Sequence, residues 1–224
     1  MQGTVFSMQP SPSKTDQAGL KNSRVRQKNI QIILQAAEDE FVASGFKGAS
    51  IRDIAHRAGL PKANVHYYFN SKVELYGAVL NHIMELWQSV FSGLNPDDEP
   101  AIALRQFIRA KMKYVLAHAN ASRIFSSEIL HGGQHLKGHL QPFNDWIQEK
   151  SEVIRGWIAQ GKMKPVDPVH LLFTIWATTQ YYVDYGPQVA SVLGKTELDV
   201  NDVDAYTETV CQMILAGCGV DVNS

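Results

Sequence analysis

Residues 61–72, PKANVHYYFNSK, place an amine, an amide, an imidazole and two phenols within about two helical turns. Val65 and Phe69, four apart, give this segment a buried stripe, and Lys62, Asn64, His66, Tyr67 and Tyr68 fall largely on the other side. The outward groups are donors and hydroxyls suited to a polar, anionic surface. Lys62, Ala63 and Asn64 open the helix. Asn can pair bidentately with adenine, Lys can donate to guanine, and a small Ala can pack against a thymine methyl. One of Tyr67 and Tyr68 is equally suited to a partly buried place.

The preceding stretch has the means to hold such a helix. Ser50 is a good N-cap, with Asp53 three residues on, and Ile51, Ile54 and Ala55 form the apolar stripe of a short helix. Gly59 stands where a helix stops in a left-handed residue, and Pro61 restarts the chain with a φ suited to a first helical turn. Two short helices across a glycine turn make a helix-turn-helix, whose second helix enters the DNA major groove. Ser50 and Arg52, at the start of the first of the two, are placed to add phosphate contacts. A further helix over 26–45 carries Ile30, Ile33, Leu34, Ala37 and Phe41 and ends at Gly45, with Phe46 expected to plug the three-helix core beside Ile51 and Ile54.

Ser71 and Glu74 form an S-x-x-E box that opens a long helix over about 72–92, carrying Leu75, Val79, Ile83, Leu86, Trp87 and Phe91. Beyond it only helical patterns follow, at 100–118, 121–131, 138–160, 168–185 and from Asn201 or Asp202 to about Gly217. Trp176, Gln180 and Asp184 recur at i, i+4, i+8, which sets an indole, an amide and a carboxylate on one helix face. With Trp87 they are a candidate small-molecule site, apolar with a few fixed polar groups. The tryptophans could equally be core. The last two helices, with Leu171, Leu172, Ile175, Tyr206, Val210, Met213 and Ile214, are either the seam of a homodimer or intramolecular core.

Other features bound the function. Residues 1–75 carry 10 Lys and Arg against 6 Asp and Glu, and the remainder 11 against 16, so a basic head precedes an acidic body. Residues 1–22 read as a disordered basic tail; with Arg24, Arg26 and Lys28 they are either solvated or an arm that reaches phosphate. There is no bilayer-spanning apolar run and no signal-peptide core, so a cytoplasmic protein without membrane contact is expected. Cys211 and Cys218 lie seven apart on one helix, about 10 Å along its axis, and cannot bridge each other. His131, His135 and His139, with Glu128, have the spacing of metal ligands, but Gly132 and Gly133 interrupt the helix between them, so a metal or other cofactor is not expected. Gly194-Lys195-Thr196 lacks the first glycine of a phosphate loop, and hydrolase, zinc-protease and dinucleotide fingerprints are missing, which argues against an enzyme.

The run from Phe41 to Leu75 resembles the DNA-binding domain of TetR-family transcriptional regulators. The likeness rests on Gly45-Phe46, Ile51 with Ile54-Ala55, Ala58-Gly59, Tyr67-Tyr68-Phe69 and Ser71-Lys72; Pro61 replaces the Ser or Thr often found there. It implies that His66, Tyr67, Tyr68 and Lys72 clamp phosphates. The stretch from Ser122 to Gln188 is similar to the RutR-like pyrimidine-utilisation regulators of that family, apart from the segment HGGQH. That likeness implies uracil or thymine as effector, held by Trp87, Trp176 and Gln180.

The expectation is thus an all-α protein: a helix-turn-helix domain over 23–72, and an effector-binding and dimerisation domain over 73–224 that pairs through the last two helices. It is expected to bind a palindromic operator as a ligand-responsive repressor. The alternatives are a TetR-type repressor that senses a different small molecule and a helical metal-binding protein built on His131, His135 and His139.

Overall fold

A computed structural model describes residues 14–90, 93–137 and 140–221, with side chains from 23 to 87 in the first of these segments. Ten α-helices and one 3-10 turn follow in order, and no strand occurs among the described residues. The first 13 residues of the expected tail lie outside the described residues. Helix α1 spans Lys14–Gly48 and so begins within the stretch read as tail. Gly45 does break it, at φ 65° and ψ 169°, but as a kink followed by one more turn. A positive φ is a conformation that glycine alone adopts without penalty.

Helices α2 (Ile51–Arg57) and α3 (Lys62–Tyr68) complete the head. The Ser50 hydroxyl accepts the Asp53 N–H at 3.2 Å and starts α2. At its end the Gly59 N–H bonds His56 O and the Leu60 N–H bonds Ala55 O, with Gly59 at φ 65°. This is the paired closure of a Schellman turn, which sets the angle between the two helices. Pro61 stands one residue earlier than expected. With ψ 143° it is the extended residue before the helix, and its carbonyl accepts the Asn64 N–H. Ile33, Ala37, Phe41, Ile54, Ala55, Val65 and Phe69 are buried in the head's core. The buried Glu40 carboxylate ties α2 to α1 by accepting from Arg57 at 3.0 Å and from Ser44 at 2.7 Å.

Phe46 departs from its expected place. Its ring lies 6.1 Å from Phe41 at the edge of the head's core and meets Tyr76 at 4.8 Å and His135 at 4.7 Å, so it bridges head and body. The kink at Gly45 turns the chain away from the head's centre before Phe46 is reached.

Helix α4 (Lys72–Val90) runs from head to body with Leu75, Tyr76, Val79, Leu80, Ile83, Met84 and Trp87 on its buried side. Glu74 reaches back to the Asn70 N–H at 2.9 Å while the Ser71 hydroxyl accepts the Glu74 N–H at 3.1 Å. The body comprises α5 (Pro100–Ala117), α6 (Ala119–Leu130), a 3-10 turn (Gln134–Leu136), α7 (Gln141–Ala159), α8 (Pro168–Asp184), α9 (Gly186–Val192) and α10 (Val200–Cys218). Helix α8 packs against α5, α6, α7 and α10 and is the centre of the body. Asp199, not Asn201 or Asp202, caps α10, with Asp202 closing a reciprocal capping box. Head and body meet where α1 packs on α4 and α6, and Asn120 donates across to Asp39 at 3.0 Å.

The seam residues divide unexpectedly. Leu171, Leu172, Ile175, Val210 and Ile214 are buried within the protomer, and Tyr206 stacks on Tyr182 at 3.6 Å. Of that set Met213 alone stands out, 71% exposed. The outer faces of the same helices carry other groups: Phe173, Ala177 and Tyr181 on α8, and Ala205, Thr209 and Met213 on α10. Both sets recur every four residues, so each forms a stripe along its helix.

Candidate DNA-reading face and effector site

With Val65 and Phe69 turned inward, α3 presents Lys62, Ala63, Asn64, His66 and Tyr67 to solvent, and Tyr67 is 76% exposed. Tyr68 is half-buried; its hydroxyl accepts from Asn29 at 3.3 Å, and its ring meets Tyr67 edge to face at 5.0 Å. It is the phenol that packs on the core. Arg52 is exposed at the start of α2, and the Ser50 hydroxyl beside Asp53 holds that carboxyl below the usual carboxylate range. Arg24, Arg26 and Lys28 line the exposed side of α1.

Lys72 does not join this face. Its Nζ donates to the carbonyls of Phe46 (2.7 Å), Lys47 (3.2 Å) and Ala49 (2.9 Å) and lies 4.7 Å from the centre of the Phe46 ring. Three ammonium protons thus meet three carbonyls at the C-terminal end of α1, where a cation is favoured. In this DNA-free arrangement Lys72 is a clamp between α1 and α4.

In the body the predicted side chains do come together. Trp87 of α4 and Trp176 of α8 meet edge to face at 5.0 Å, with Phe125 of α6 at 4.3 Å from Trp87 and Phe143 of α7 at 5.3 Å from Trp176. Next to this aromatic wall, Asp184 accepts from Gln180 Nε2 at 3.0 Å and from the Ser126 hydroxyl at 2.9 Å. Sequence reasoning missed the most unusual member. Lys111 of α5 is 2% exposed and sets its Nζ 4.3 Å from the centre of the Trp176 ring. A signal was present: Leu104, Phe107, Ile108, Lys111 and Val115 follow the apolar helical period, so the lysine occupies a core position.

Burial pushes the Lys111 ammonium down to about 7, against a smaller upward pull from Asp184. Between pH 7 and 9 the unfolded chain therefore keeps a proton that the folded protein has largely released, so this group makes stability rise with pH across that window. Below pH 7 both states are protonated and the cost of the buried cation is present in full. Lys111→Met is accordingly expected to stabilise the protein by on the order of 2 kcal/mol at pH 6. It should also flatten the rise in melting temperature between pH 7 and 9. Thermal denaturation across that range is the check.

Among the described residues, His131 and His135 share no metal site. His131 Nδ1 lies 2.7 Å from Ser127 O, and His135 pairs with Glu128; His139 lies outside the described residues. Gly132 and Gly133, at φ 92° and 62°, end α6 between them. Among the described residues no group of three His, Cys, Asp or Glu is placed to hold a metal ion, and no helix is long and apolar enough to cross a membrane.

A helix-turn-helix head joined by one long helix to an all-helical body defines a transcriptional regulator of the two-domain, DNA-binding class. Two family models match the chain: bacterial regulatory proteins of the tetR family over residues 33–79, and the C-terminal region of YcdC-like proteins over 80–221. The chain is 39% identical over 198 residues to the HTH-type transcriptional regulator RutR of Escherichia coli K12, covering 88% of this chain and 93% of the relative. It is 33% identical over 106 residues to the HTH-type transcriptional repressor NicS of Pseudomonas putida, covering 47% of this chain and 50% of that one. Among solved structures, a TetR-like transcriptional regulator from Rhodococcus sp. RHA1 superposes with a TM-score of 0.65 at 18% identity, over 86% of this chain and 97% of that one. The chain belongs to the TetR family and is a RutR-like, DNA-binding transcriptional regulator, not an enzyme. Regulators of this type bind operator DNA and small-molecule effectors and are dimeric.

Proposed function

We propose that the chain is a repressor that leaves a palindromic operator when a pyrimidine base, uracil or thymine, enters its body. The carrying observation is the convergence of Trp87, Trp176, Lys111, Gln180 and Asp184 from three helices. A uracil ring offers two carbonyl oxygens on either side of one N–H. Lys111 and Gln180 supply donors for the carbonyls, Asp184 is an acceptor for the N–H, and the indoles cover the flat faces. The rings touch one another in this structure, so the base enters by parting the Trp87–Trp176 contact.

Trp87 sits on α4, the same helix whose first residue, Lys72, clamps the end of α1. Displacing Trp87 therefore acts on the head through one rigid element. Two copies pair through the outer stripes of α8 and α10, where Phe173, Tyr181 and Met213 are exposed and the small Ala177, Ala205 and Thr209 allow close approach. Pairing sets two recognition helices about one DNA turn apart, and a shift of α4 in each copy alters that spacing. Lys62, Ala63 and Asn64 read bases. Ser50, Arg52, His66, Tyr67 and the half-buried Tyr68 meet backbone phosphates.

The test is a fluorescence-anisotropy titration of the protein on its own promoter-proximal palindrome with added uracil. Uracil is expected to raise the melting temperature and to release the DNA. Unchanged melting and undiminished DNA binding at millimolar uracil and thymine would remove the pyrimidine assignment and leave the DNA-binding class intact.

A further inference from the structure

A cleft of about 570 Å³ opens where the end of α1 meets α6 and the 3-10 turn, at the junction of head and body. Its size falls in the range of small-molecule sites, ~300–1,000 Å³. Phe41, Phe46, Tyr76 and Ile124 form its apolar wall, and Arg123, Lys47 and His131 stand on its rim. The cleft is separate from the indole site, because α6 divides them. That helix turns Phe125 and Ser126 towards Trp87 and Asp184, and Ser127 and Glu128 towards the junction, while the exposed Arg123 lines the cleft's mouth and also donates to the Val183 carbonyl of α8 at 3.4 Å.

The charge of the lining has a definite sense. Glu128 is its one acid, 6% exposed, and its oxygens accept from the Tyr76 hydroxyl (3.2 Å), the His135 N–H (2.7 Å) and His135 Nδ1 (3.2 Å). Its lone pairs are thus largely satisfied from within the protein, whereas Arg123 and Lys47 leave the mouth of the cleft cationic. An apolar, aromatic interior below a cationic rim fits an amphipathic anion of single charge. A carboxylate matches the planar fork of an arginine, and a ring or branched chain fills the space between Phe41, Phe46 and Tyr76.

We propose that the junction cleft is a second small-molecule site, for monocarboxylates with a small aromatic or branched aliphatic body. It stands independently of the pyrimidine reading. The full-length protein is titrated calorimetrically with benzoate, phenylacetate and isovalerate, and with the neutral amide of each. At least one acid is expected to bind saturably, with its amide about tenfold weaker or worse, the difference a charge-assisted pair makes. Arg123→Gln should weaken that acid about tenfold and leave the amide unchanged. Ser127→Trp, which fills the cleft from an exposed position, should abolish binding, while Gln180→Ala, on the far side of α6, should not weaken it. No saturable binding of any acid, equal binding of acid and amide, or loss of binding in Gln180→Ala with retention in Ser127→Trp would each overturn the proposal.

Discussion

Lys62→Ala and Asn64→Ala are each expected to abolish specific operator binding while leaving the melting temperature where it was. Both side chains are exposed on α3. Substitutions at such positions ordinarily change stability by no more than about 0.5 kcal/mol. A base contact is worth about 1–3 kcal/mol of discrimination, and a dimer on a palindrome loses it twice. The expected loss is therefore about 2–6 kcal/mol per substitution, a factor from about 30 to well over 1,000 in affinity. Lys72→Met provides the contrast. Three carbonyls at the end of α1 lose a charged donor, so it should cost about 2 kcal/mol of stability. Its operator affinity should fall far less than that of Lys62→Ala when measured well below the melting transition. Anisotropy titrations beside thermal melts separate the two lysines. Normal operator binding by Lys62→Ala and Asn64→Ala would displace α3 from the major groove.

The different fates of Lys62 and Lys72 mark the limit of what residue patterns convey. The local rules of the head are legible: the Ser50 cap, the left-handed Gly59 and the Val65/Phe69 stripe each act within a few residues, and each is found as expected. The destination of a long side chain depends on another element. Lys72 turns back 26 residues to Phe46, and Phe46, just past the kink at Gly45, reaches His135 of the body as well as Phe41 of the head. In the body the helices are legible from their apolar period, except α9, which buries only the adjacent Val189 and Ala190 and so carries no spaced stripe. The same period is silent about which partner covers a stripe. Leu171, Ile175 and Val210 satisfy the description of a dimer seam, yet they face their own protomer. The exposed groups on the outer faces of these helices are a weaker, mixed stripe around Phe173, Tyr181 and Met213. For the candidate effector site, Trp176, Gln180 and Asp184 share a helix face and could be found together. Lys111 and Ser126 come from other helices and join them only through packing.

Those late arrivals decide which base the site would favour. On the proposed reading, Lys111 and Gln180 donate to the two carbonyls of uracil, and Asp184 accepts from the N–H between them. Cytosine puts an amino group where one carbonyl was and a bare ring nitrogen where the N–H was. A donor then faces a donor, and the Asp184 carboxylate faces a lone pair. Sites built on hydrogen bonds reject such analogues strongly, because a buried polar group left unmatched costs about 1–3 kcal/mol each. Uracil is thus expected to bind at least about 30-fold more tightly than cytosine, two mismatches being equivalent to about 2–6 kcal/mol. Gln180→Ala should weaken uracil by about tenfold, since one donor is lost. Trp176→Ala should remove most of the affinity, because it takes away one face of the stack and the ring over which Lys111 lies. Calorimetric titration of the three proteins with both bases is decisive. Equal affinity for uracil and cytosine would mean that Lys111 and Asp184 do not touch the ligand, whatever the indoles do.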